Sequence, residues 1–401
     1  MHIFNFKAYS LKDYKFPLFI AALCLNLIGL RIIGIVQDPV DRLYEKQIFG
    51  ILVSVFVVIA VSIIDYHFIA KFFIILYIIN IGLLLLVFSP IGHAYYDARR
   101  WIDIPKLGQL QPSEFSKFLI VITMAAFFNH YKDKLGRLRT DIWLAALAAV
   151  PVLLVLLEPD LSTTIVLTVT FICMAYASEI PYKIVLPTLL IMVMLVAGIM
   201  WYVMQPGEKI LIKDYQIDRF IAFLHPDDPA YADLNWQQNL AVRAILHGGL
   251  FGRMFSSTIL KESLNCSIIP AIESDFIFSA VAEIFGFAGC GIVLGLELFI
   301  VIKGIKIARK APDFLGRMIA IGISSIVALQ TIVNVGVSAM LLPNTGIPLP
   351  FMSSGLSALM GNSLMLGVLM NVGLQHKVKE ESNGESLFYG MSLGSYKGPL
   401  Y

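Results

Sequence analysis

Charged residues are scarce in this chain of 401 residues: Asp, Glu, Lys and Arg make up 14% of it, against 58% hydrophobic residues. Soluble proteins are ordinarily about 25% charged. A soluble chain this apolar could not cover its own surface with polar side chains, so lipid must surround most of it. The composition excludes a cytosolic enzyme, a disordered chain and a secreted disulfide scaffold.

Cysteine and excess positive charge are also lacking. The four cysteines form no CxxC pair and have no metal-ligand spacing. Thirty Lys and Arg against 28 Asp and Glu give a net charge of only +2. A nucleic-acid-binding face would show as a large basic excess, so no nucleic-acid partner is expected.

Long apolar runs are what the chain has instead. A helix needs about 20 apolar residues to cross a bilayer core. Ten such runs lie at 17–36, 48–64, 72–89, 115–129, 142–157, 161–177, 184–204, 276–302, 314–342 and 357–375. They predict an all-α integral membrane protein with ten transmembrane helices, in a single polytopic domain that covers residues 1–401. A long extracytoplasmic loop at 205–275 then joins the seventh and eighth helices, and a tail follows at 376–401.

The distribution of Lys and Arg predicts the orientation in the membrane. Short cytoplasmic loops carry an excess of these residues, and here one set of loops, including 132–139 and 303–310, holds most of them. Both termini are therefore predicted to be cytoplasmic, as an even number of spans requires. The more complex polar segments then fall on the outer side, where we expect the protein to work.

Two clusters of candidate site residues lie before the fourth predicted span and at its start. Arg99, Arg100 and Trp101 place two guanidinium groups, which suit diphosphate oxygens, beside an interfacial aromatic; ordinary anchoring at the interface explains them about as well. Glu114 and Lys117 are three residues apart at a predicted helix start, so they share a face and can pair.

Two of the candidate carboxylates lie at predicted helix ends. Asp160 lies in a tight hairpin between the fifth and sixth spans, where capping of the next helix is at least as good an explanation as a role in a site. Asp275 lies at the start of the eighth span, where low-dielectric surroundings favour a raised pKa and general-base chemistry. The alternative for Asp275 is again a helix cap, and Glu283 is predicted on the same helix face.

Two further segments have a recognisable pattern. Residues 235–246 place Trp236, Leu240 and Ala244 on one stripe, which predicts an amphipathic helix that lies at the interface or packs on the bundle. Residues 343–355 contain three prolines that break the helical pattern. Non-helical backbone within a membrane is tolerated when it is buried in protein or lines a cavity, so this segment predicts a cavity open to the outer side.

Four motifs, in order along the chain, carry a family resemblance. They are QPSEFSK at 111–117, EPDLST at 158–163, SDFIF at 274–278 with AEIFGF at 282–287, and GIPLPF at 346–351. Together they resemble the SEDS family (shape, elongation, division and sporulation). The usual SYGGS after the last motif reads SSGLS at 353–357, and the motifs leave open whether the chain is RodA-like, FtsW-like or SpoVE-like.

The resemblance implies a peptidoglycan glycosyltransferase of the bacterial plasma membrane, with its active site facing outside. Its substrates would be lipid II and the nascent glycan strand, and a class B penicillin-binding protein transpeptidase would be its partner. Asp275 falls on the family's catalytic aspartate. The supporting or substrate-binding positions fall on Arg99, Arg100, Trp101, Glu114, Lys117, Asp160 and Ser353.

The resemblance also implies a mechanism, inverting glycosyl transfer with undecaprenyl diphosphate as the leaving group. Asp275 either accepts the acceptor proton or helps to hold a divalent cation, Mg²⁺ or Mn²⁺. The metal requirement stays open, as do two other functions. One is a lipid II flippase, which predicts a polar path to both faces and two related helix bundles; the other is a scaffold that only recruits a transpeptidase.

Overall fold

Helices form most of the computed structural model, which describes residues 3–4, 9, 14–36, 42–95, 98–104, 108–178, 180, 214–226, 228–253 and 264–375. The helices are α1 (Phe16–Val36), α2 (Leu43–Ile63), α3 (Tyr66–Lys71), α4 (Phe73–Val87), α5 (Pro112–His130), α6 (Leu138–Leu157), α7 (Leu161–Ala177), α8 (Asp214–Leu224), α9 (Ala232–Gly248), α10 (Ile277–Lys310), α11 (Phe314–Ser338) and α12 (Leu356–Leu374). The strands are β1 (Gly92–Tyr95), β2 (Ala98–Ile104) and β3 (Gly108–Leu110).

Six of the described helices are long and apolar enough to cross a membrane, namely α1, α2, α6, α10, α11 and α12. They coincide with six of the ten predicted spans. The third and sixth predicted spans correspond to α4 and α7, which are apolar but shorter. The seventh, at 184–204, lies outside the described residues, as do the tail at 376–401 and parts of the long loop.

The fourth predicted span lies within α5, the helix at the centre of the bundle. Its residues from Pro112 to Phe128 are buried almost without interruption, and they include the charged Glu114 and Lys117. A helix that is enclosed by protein on all sides can carry polar residues because its neighbours, and not lipid, surround them. This explains why α5 is less apolar than the helices that face the membrane.

Between α4 and α5 the chain forms a small sheet that the sequence analysis did not predict. The three strands pair in the order β1-β2-β3, both pairs antiparallel. Arg99, Arg100 and Trp101, which the sequence predicts at a membrane boundary, lie in the central strand of this sheet. The prediction of a helical protein holds for the bundle, and the sheet is an addition at one end of it.

A break at Gly286 divides α10. Gly286 has a φ of 69°, and a Cβ there would lie 2.2 Å from the backbone nitrogen of Gly252, so only glycine fits this position. Backbone groups near the break, which lack hydrogen-bond partners within the helix, bond instead to the segment that follows α9. Phe287 N donates to Gly249 O (2.9 Å), and Arg253 N donates to Glu283 O (3.0 Å).

Helix α9 contains the predicted amphipathic segment at 235–246 and packs on the bundle. Leu240, Ala241 and Ala244 are buried, whereas Trp236, predicted on the same stripe, is 46% exposed. Gln238 is buried too, and its Nε2 donates to the carbonyl of Val337 (3.0 Å), in the last turn of α11, and to that of Leu342 (2.9 Å), which follows the helix. The helix is therefore fixed against α11 by polar as well as apolar contacts.

Candidate active site

A cavity of about 530 Å³ opens at the end of the bundle where the sheet lies. Its walls come from segments far apart in the chain: β2, the approach to α5, α8, α9, the residues before α10, and the segment between α11 and α12. The residues that contribute polar side chains to the lining are Arg100, Trp101, Gln109, Gln111, Arg219, Gln237, Glu273, Ser274, Asp275, Asn344, Thr345, Ser354 and Ser357. The prediction that the proline-rich segment lines a cavity is confirmed, because Asn344, Thr345 and Gly346 form part of this wall.

Asp275 is partly buried at the cavity wall and lies outside α10. That helix begins at Ile277, and its N-cap position is Phe276, with no side-chain cap. The interpretation of Asp275 as a helix cap is therefore wrong. The prediction that Asp275 and Glu283 share a helix face is also wrong, because Asp275 is not part of the helix. Glu283 is fully buried and accepts hydrogen bonds from the backbone of Asn265 (3.0 Å) and Cys266 (2.7 Å).

The surroundings of Asp275 favour a carboxylate that can exchange a proton near neutral pH. Burial raises the pKa of Asp275 to about 6, against the opposing effects of the positive charge of Arg100, the Ser274 hydroxyl and Arg219. A group with a pKa near the working pH can accept a proton in one step of a reaction and release it in the next. This is the property predicted for Asp275 from its place in the sequence.

Of the predicted Arg-Arg-Trp cluster, the structure brings two members to the cavity. Arg100 and Trp101 line it, and Arg100 also donates a hydrogen bond to the carbonyl of Pro159 in the hairpin between α6 and α7. Arg99 is exposed and does not belong to the described cavity lining. The prediction that Arg99 binds substrate therefore has no support from the geometry of the site.

Glu114 and Lys117 form the predicted ion pair. Lys117 Nζ lies 2.7 Å from Glu114 Oε2, and the two side chains are 0% and 2% exposed. Gly361 of α12 permits this close packing, because a Cβ there would lie 2.8 Å from the carbonyl oxygen of Glu114. Neither charged side chain reaches the described cavity lining, so the pair lies behind the wall.

Asp160 caps α7, as the simpler interpretation predicted. Its Oδ1 accepts from the backbone N–H of Thr163 (3.1 Å). Its Oδ2 accepts from Ser113 Oγ (3.3 Å) and Gln111 Nε2 (3.4 Å). Since Gln111 lines the cavity, Asp160 supports the wall at the start of α5.

Ser353 likewise supports the wall without belonging to the described lining. Its Oγ donates to Ser274 O (2.6 Å) and accepts from the backbone N–H of Leu349 (2.8 Å). The departure of residues 353–357 from the usual family sequence thus leaves a serine at a position where its hydroxyl holds the residue next to Asp275.

Arg219 is a lining residue that sequence reasoning missed. It lies on α8 inside the long loop, lines the cavity together with Arg100, and lowers the pKa of Asp275 by its charge. The signal in the sequence was a cation within the apolar stretch RFIAFL at 219–224. That pattern predicts a short amphipathic helix, but it cannot show which residues the helix faces.

The described cavity lining offers too few side-chain ligands to enclose a metal ion by protein ligands alone. No group of three or more His, Cys, Asp or Glu that could hold a metal comes together among the described residues. Asp275 and Glu273 are the carboxylates in the described cavity lining. One or two carboxylates can hold Mg²⁺ together with the phosphates of a substrate. The reaction proposed below is written without a step through a metal.

Comparison with known proteins identifies a family and several similar proteins. The FTSW_RODA_SPOVE model, described as a cell cycle protein family, matches residues 19–378. A protein of Trichlorobacter lovleyi, named probable peptidoglycan glycosyltransferase FtsW, is 28% identical over 378 residues, which are 91% of this chain and 94% of that protein.

Solved structures share the architecture. A chain described under "Structural coordination of polymerization and crosslinking by a peptidoglycan synthase complex" superposes with a TM-score of 0.75 at 24% identity, covering 90% of this chain and 97% of that one. The rod shape determining protein RodA of Thermus thermophilus superposes with a TM-score of 0.64 at 22% identity, covering 90% and 96% of the two chains. With a family model matched over most of its length, the chain belongs to the SEDS family, which includes FtsW, RodA and SpoVE.

Proposed function

We propose that this protein is a peptidoglycan glycosyltransferase that polymerises lipid II at the outer face of the bacterial plasma membrane. The observation that carries the proposal is the cavity in which Asp275 faces two guanidinium groups, those of Arg100 and Arg219. The proposed topology has ten transmembrane helices and cytoplasmic termini, which puts this cavity on the outer side. The relative named peptidoglycan glycosyltransferase supports the same chemistry.

In the proposed reaction, the carboxylate of Asp275 takes the proton from the 4-hydroxyl of the acceptor N-acetylglucosamine. The oxygen of that hydroxyl forms a bond to C1 of the muramic sugar at the lipid end of the growing strand, on the face opposite the leaving group. The bond from C1 to the diphosphate oxygen breaks, and undecaprenyl diphosphate leaves. Arg100 and Arg219 would stabilise the negative charge that develops on the diphosphate.

Three of the other candidate residues act behind the cavity wall. The Glu114–Lys117 ion pair and the capping carboxylate of Asp160 hold α5 and the hairpin in place, so that the cavity keeps its shape. Trp101 offers a flat apolar surface beside the two cations. A class B penicillin-binding protein transpeptidase is the proposed partner, by analogy with the synthase complex that couples polymerization and crosslinking.

The test uses the purified full-length chain with fluorescent lipid II, and polymer is measured on glycan gels. A general base contributes about 10²–10⁴-fold to the rate, so Asp275→Asn should lose polymer to that extent. Asp233→Asn is the matched control, because Asp233 is an exposed aspartate in the first turn of α9. Equal amounts of polymer from Asp275→Asn and from the control would contradict the proposal. Movement of lipid II across the bilayer without polymer formation would favour a flippase.

A further inference from the structure

Three consecutive carbonyl oxygens at the cavity wall each accept a hydrogen bond from another part of the fold. Glu273 O accepts from the backbone N–H of Ser354 (2.8 Å), and Ser274 O accepts from Ser353 Oγ (2.6 Å). Asp275 O accepts from Asn334 Nδ2 (2.9 Å). The backbone around the candidate base is thus hydrogen-bonded to other parts of the fold at each of the residues 273, 274 and 275.

Ser353 and Ser354 belong to the segment between α11 and α12, which forms one wall, whereas Asn334 lies on α11 and its single amide group bonds to both walls. Its Nδ2 also donates to the carbonyl of Ile347 (2.8 Å). An amide NH₂ has two hydrogens, so one goes to each carbonyl and the donor group is saturated. The side chain is fully buried near the end of α11.

The second bond of Asn334 fixes the residue that follows Gly346. Gly346 lies against the carboxylate itself, since a Cβ there would be 3.0 Å from Asp275 Oδ2. The amide therefore holds both the backbone of the candidate base and the backbone that faces its carboxylate. A shift of either segment would change the distance from Asp275 to an acceptor hydroxyl in the cavity.

We infer that Asn334 is a positioning residue whose side-chain amide fixes the separation between Asp275 and the segment at Gly346 and Ile347. The inference rests on the proposed function for its kinetic consequence, but the bridge itself does not depend on it. Asn334 is not part of the described cavity lining. It acts through Asp275, whose backbone carbonyl it binds.

The test replaces Asn334 by Leu, which keeps the branched shape of the side chain and removes both N–H donors, and by Ala as a second variant. Ser324→Ala is the matched control: Ser324 is also a buried polar residue of α11, but among the described residues its hydroxyl donates to Ala320 O of the same helix (2.7 Å) and does not join two segments. Hydrogen exchange should rise in peptides that cover 271–276 and 345–349 in both Asn334 variants and stay unchanged in the control. Unchanged exchange in those peptides would overturn the bridge.

Kinetics distinguish positioning from loss of fold. Misplacing a catalytic group by about 1 Å can cost about 10²-fold, so kcat for lipid II polymerisation should fall about 10- to 100-fold while KM stays close to the wild-type value. The acid limb of the pH profile should also move to lower pH, because a displaced Asp275 is better hydrated. The other charged groups that face Asp275 are Arg100, Arg219 and Glu273, and all three are unchanged in these variants.

The kinetic and exchange measurements test different parts of the inference. Wild-type kcat in Asn334→Leu, or a rise in KM with kcat preserved, would overturn the positioning role. A wild-type protein that makes no polymer would contradict the proposed function, and the exchange of the two peptides would then decide the bridge by itself.

Discussion

Gly346 lies directly against the carboxylate of Asp275, and its backbone is in the left-handed region. Its φ is 64°, and a Cβ built there would be 3.0 Å from Asp275 Oδ2. Both the conformation and the contact favour a residue without a side chain. The motif GIPLPF thus supplies the candidate base with a neighbour that leaves its carboxylate unobstructed.

Gly346→Ala should therefore lower both stability and activity. A non-glycine residue in this conformation costs about 1–2 kcal/mol, and the added methyl pushes the carboxylate of Asp275 away from its position. Thermal unfolding in detergent and polymerisation rates measure the two effects. The control is Gly82→Ala in α4, where a Cβ would meet nothing within 4 Å; equal losses from both substitutions would contradict the explanation.

The polymerisation rate should have an acid limb near pH 6. Burial raises the pKa of Asp275 to about 6, and only the ionised form can accept the proton. The value of kcat/KM should therefore be constant well above pH 6 and fall tenfold per pH unit below it. A pH profile of the wild type measures this, and a limb near pH 4, the ordinary value for aspartate, would show that Asp275 is solvated or does not act as the base.

Arg219 and Arg99 should differ sharply in their contribution to the rate. Arg219 lines the cavity with Asp275, whereas Arg99 is exposed on β2 outside the described lining. Removal of one group that stabilises developing charge costs about 10²–10³-fold in kcat, so Arg219→Gln should show a loss of about that size. Arg99→Gln should keep the wild-type rate, and a loss in Arg99→Gln that matched the loss in Arg219→Gln would refute the assignment.

The Glu114–Lys117 pair should show strong coupling in a double-mutant cycle. Removal of one partner of a buried ion pair leaves an uncompensated charge and costs about 3–5 kcal/mol. Glu114→Gln and Lys117→Met should each lower the midpoint of thermal unfolding markedly. The double variant should be more stable than the sum of the two losses predicts, whereas additive losses would mean that the two charges do not interact.

His67 should make the stability of the protein depend on pH above neutrality. Its Nδ1 lies 2.8 Å from Asp65 Oδ1 and its Nε2 lies 2.5 Å from Asp313 Oδ2, so the imidazolium joins the N-terminal caps of α3 and α11. Burial lowers the pKa of His67, but the two carboxylates outweigh that effect and raise it to about 9.

Because this pKa is above the unfolded value of about 6.5, the stabilisation is complete below pH 6.5 and is lost as the pH rises through about 9. The difference in unfolding midpoint between the wild type and His67→Gln, measured from pH 6 to pH 10, should therefore shrink as pH rises. His93→Gln is the control, since His93 is exposed beside an exposed partner, Asp103. A difference that stays constant over this range would show that the charge of His67 is not involved.

The sequence alone determined the membrane class, the family and the local chemistry. Apolar runs follow from hydropathy, which is a property of short segments, so most of the spans could be found without a structure. The Glu114–Lys117 pair and the cap at Asp160 were also predictable. Both depend on residues three positions apart, whose geometry a helix fixes by itself.

Tertiary structure decided which of these residues meet. Arg99 and Arg100 are neighbours in the chain, yet only Arg100 reaches the described cavity lining. Arg219 and Asn334 come to Asp275 from α8 and α11, at sequence separations of 56 and 59 residues. No local pattern encodes such contacts, because they arise when packed helices bring the ends of distant segments to one cavity.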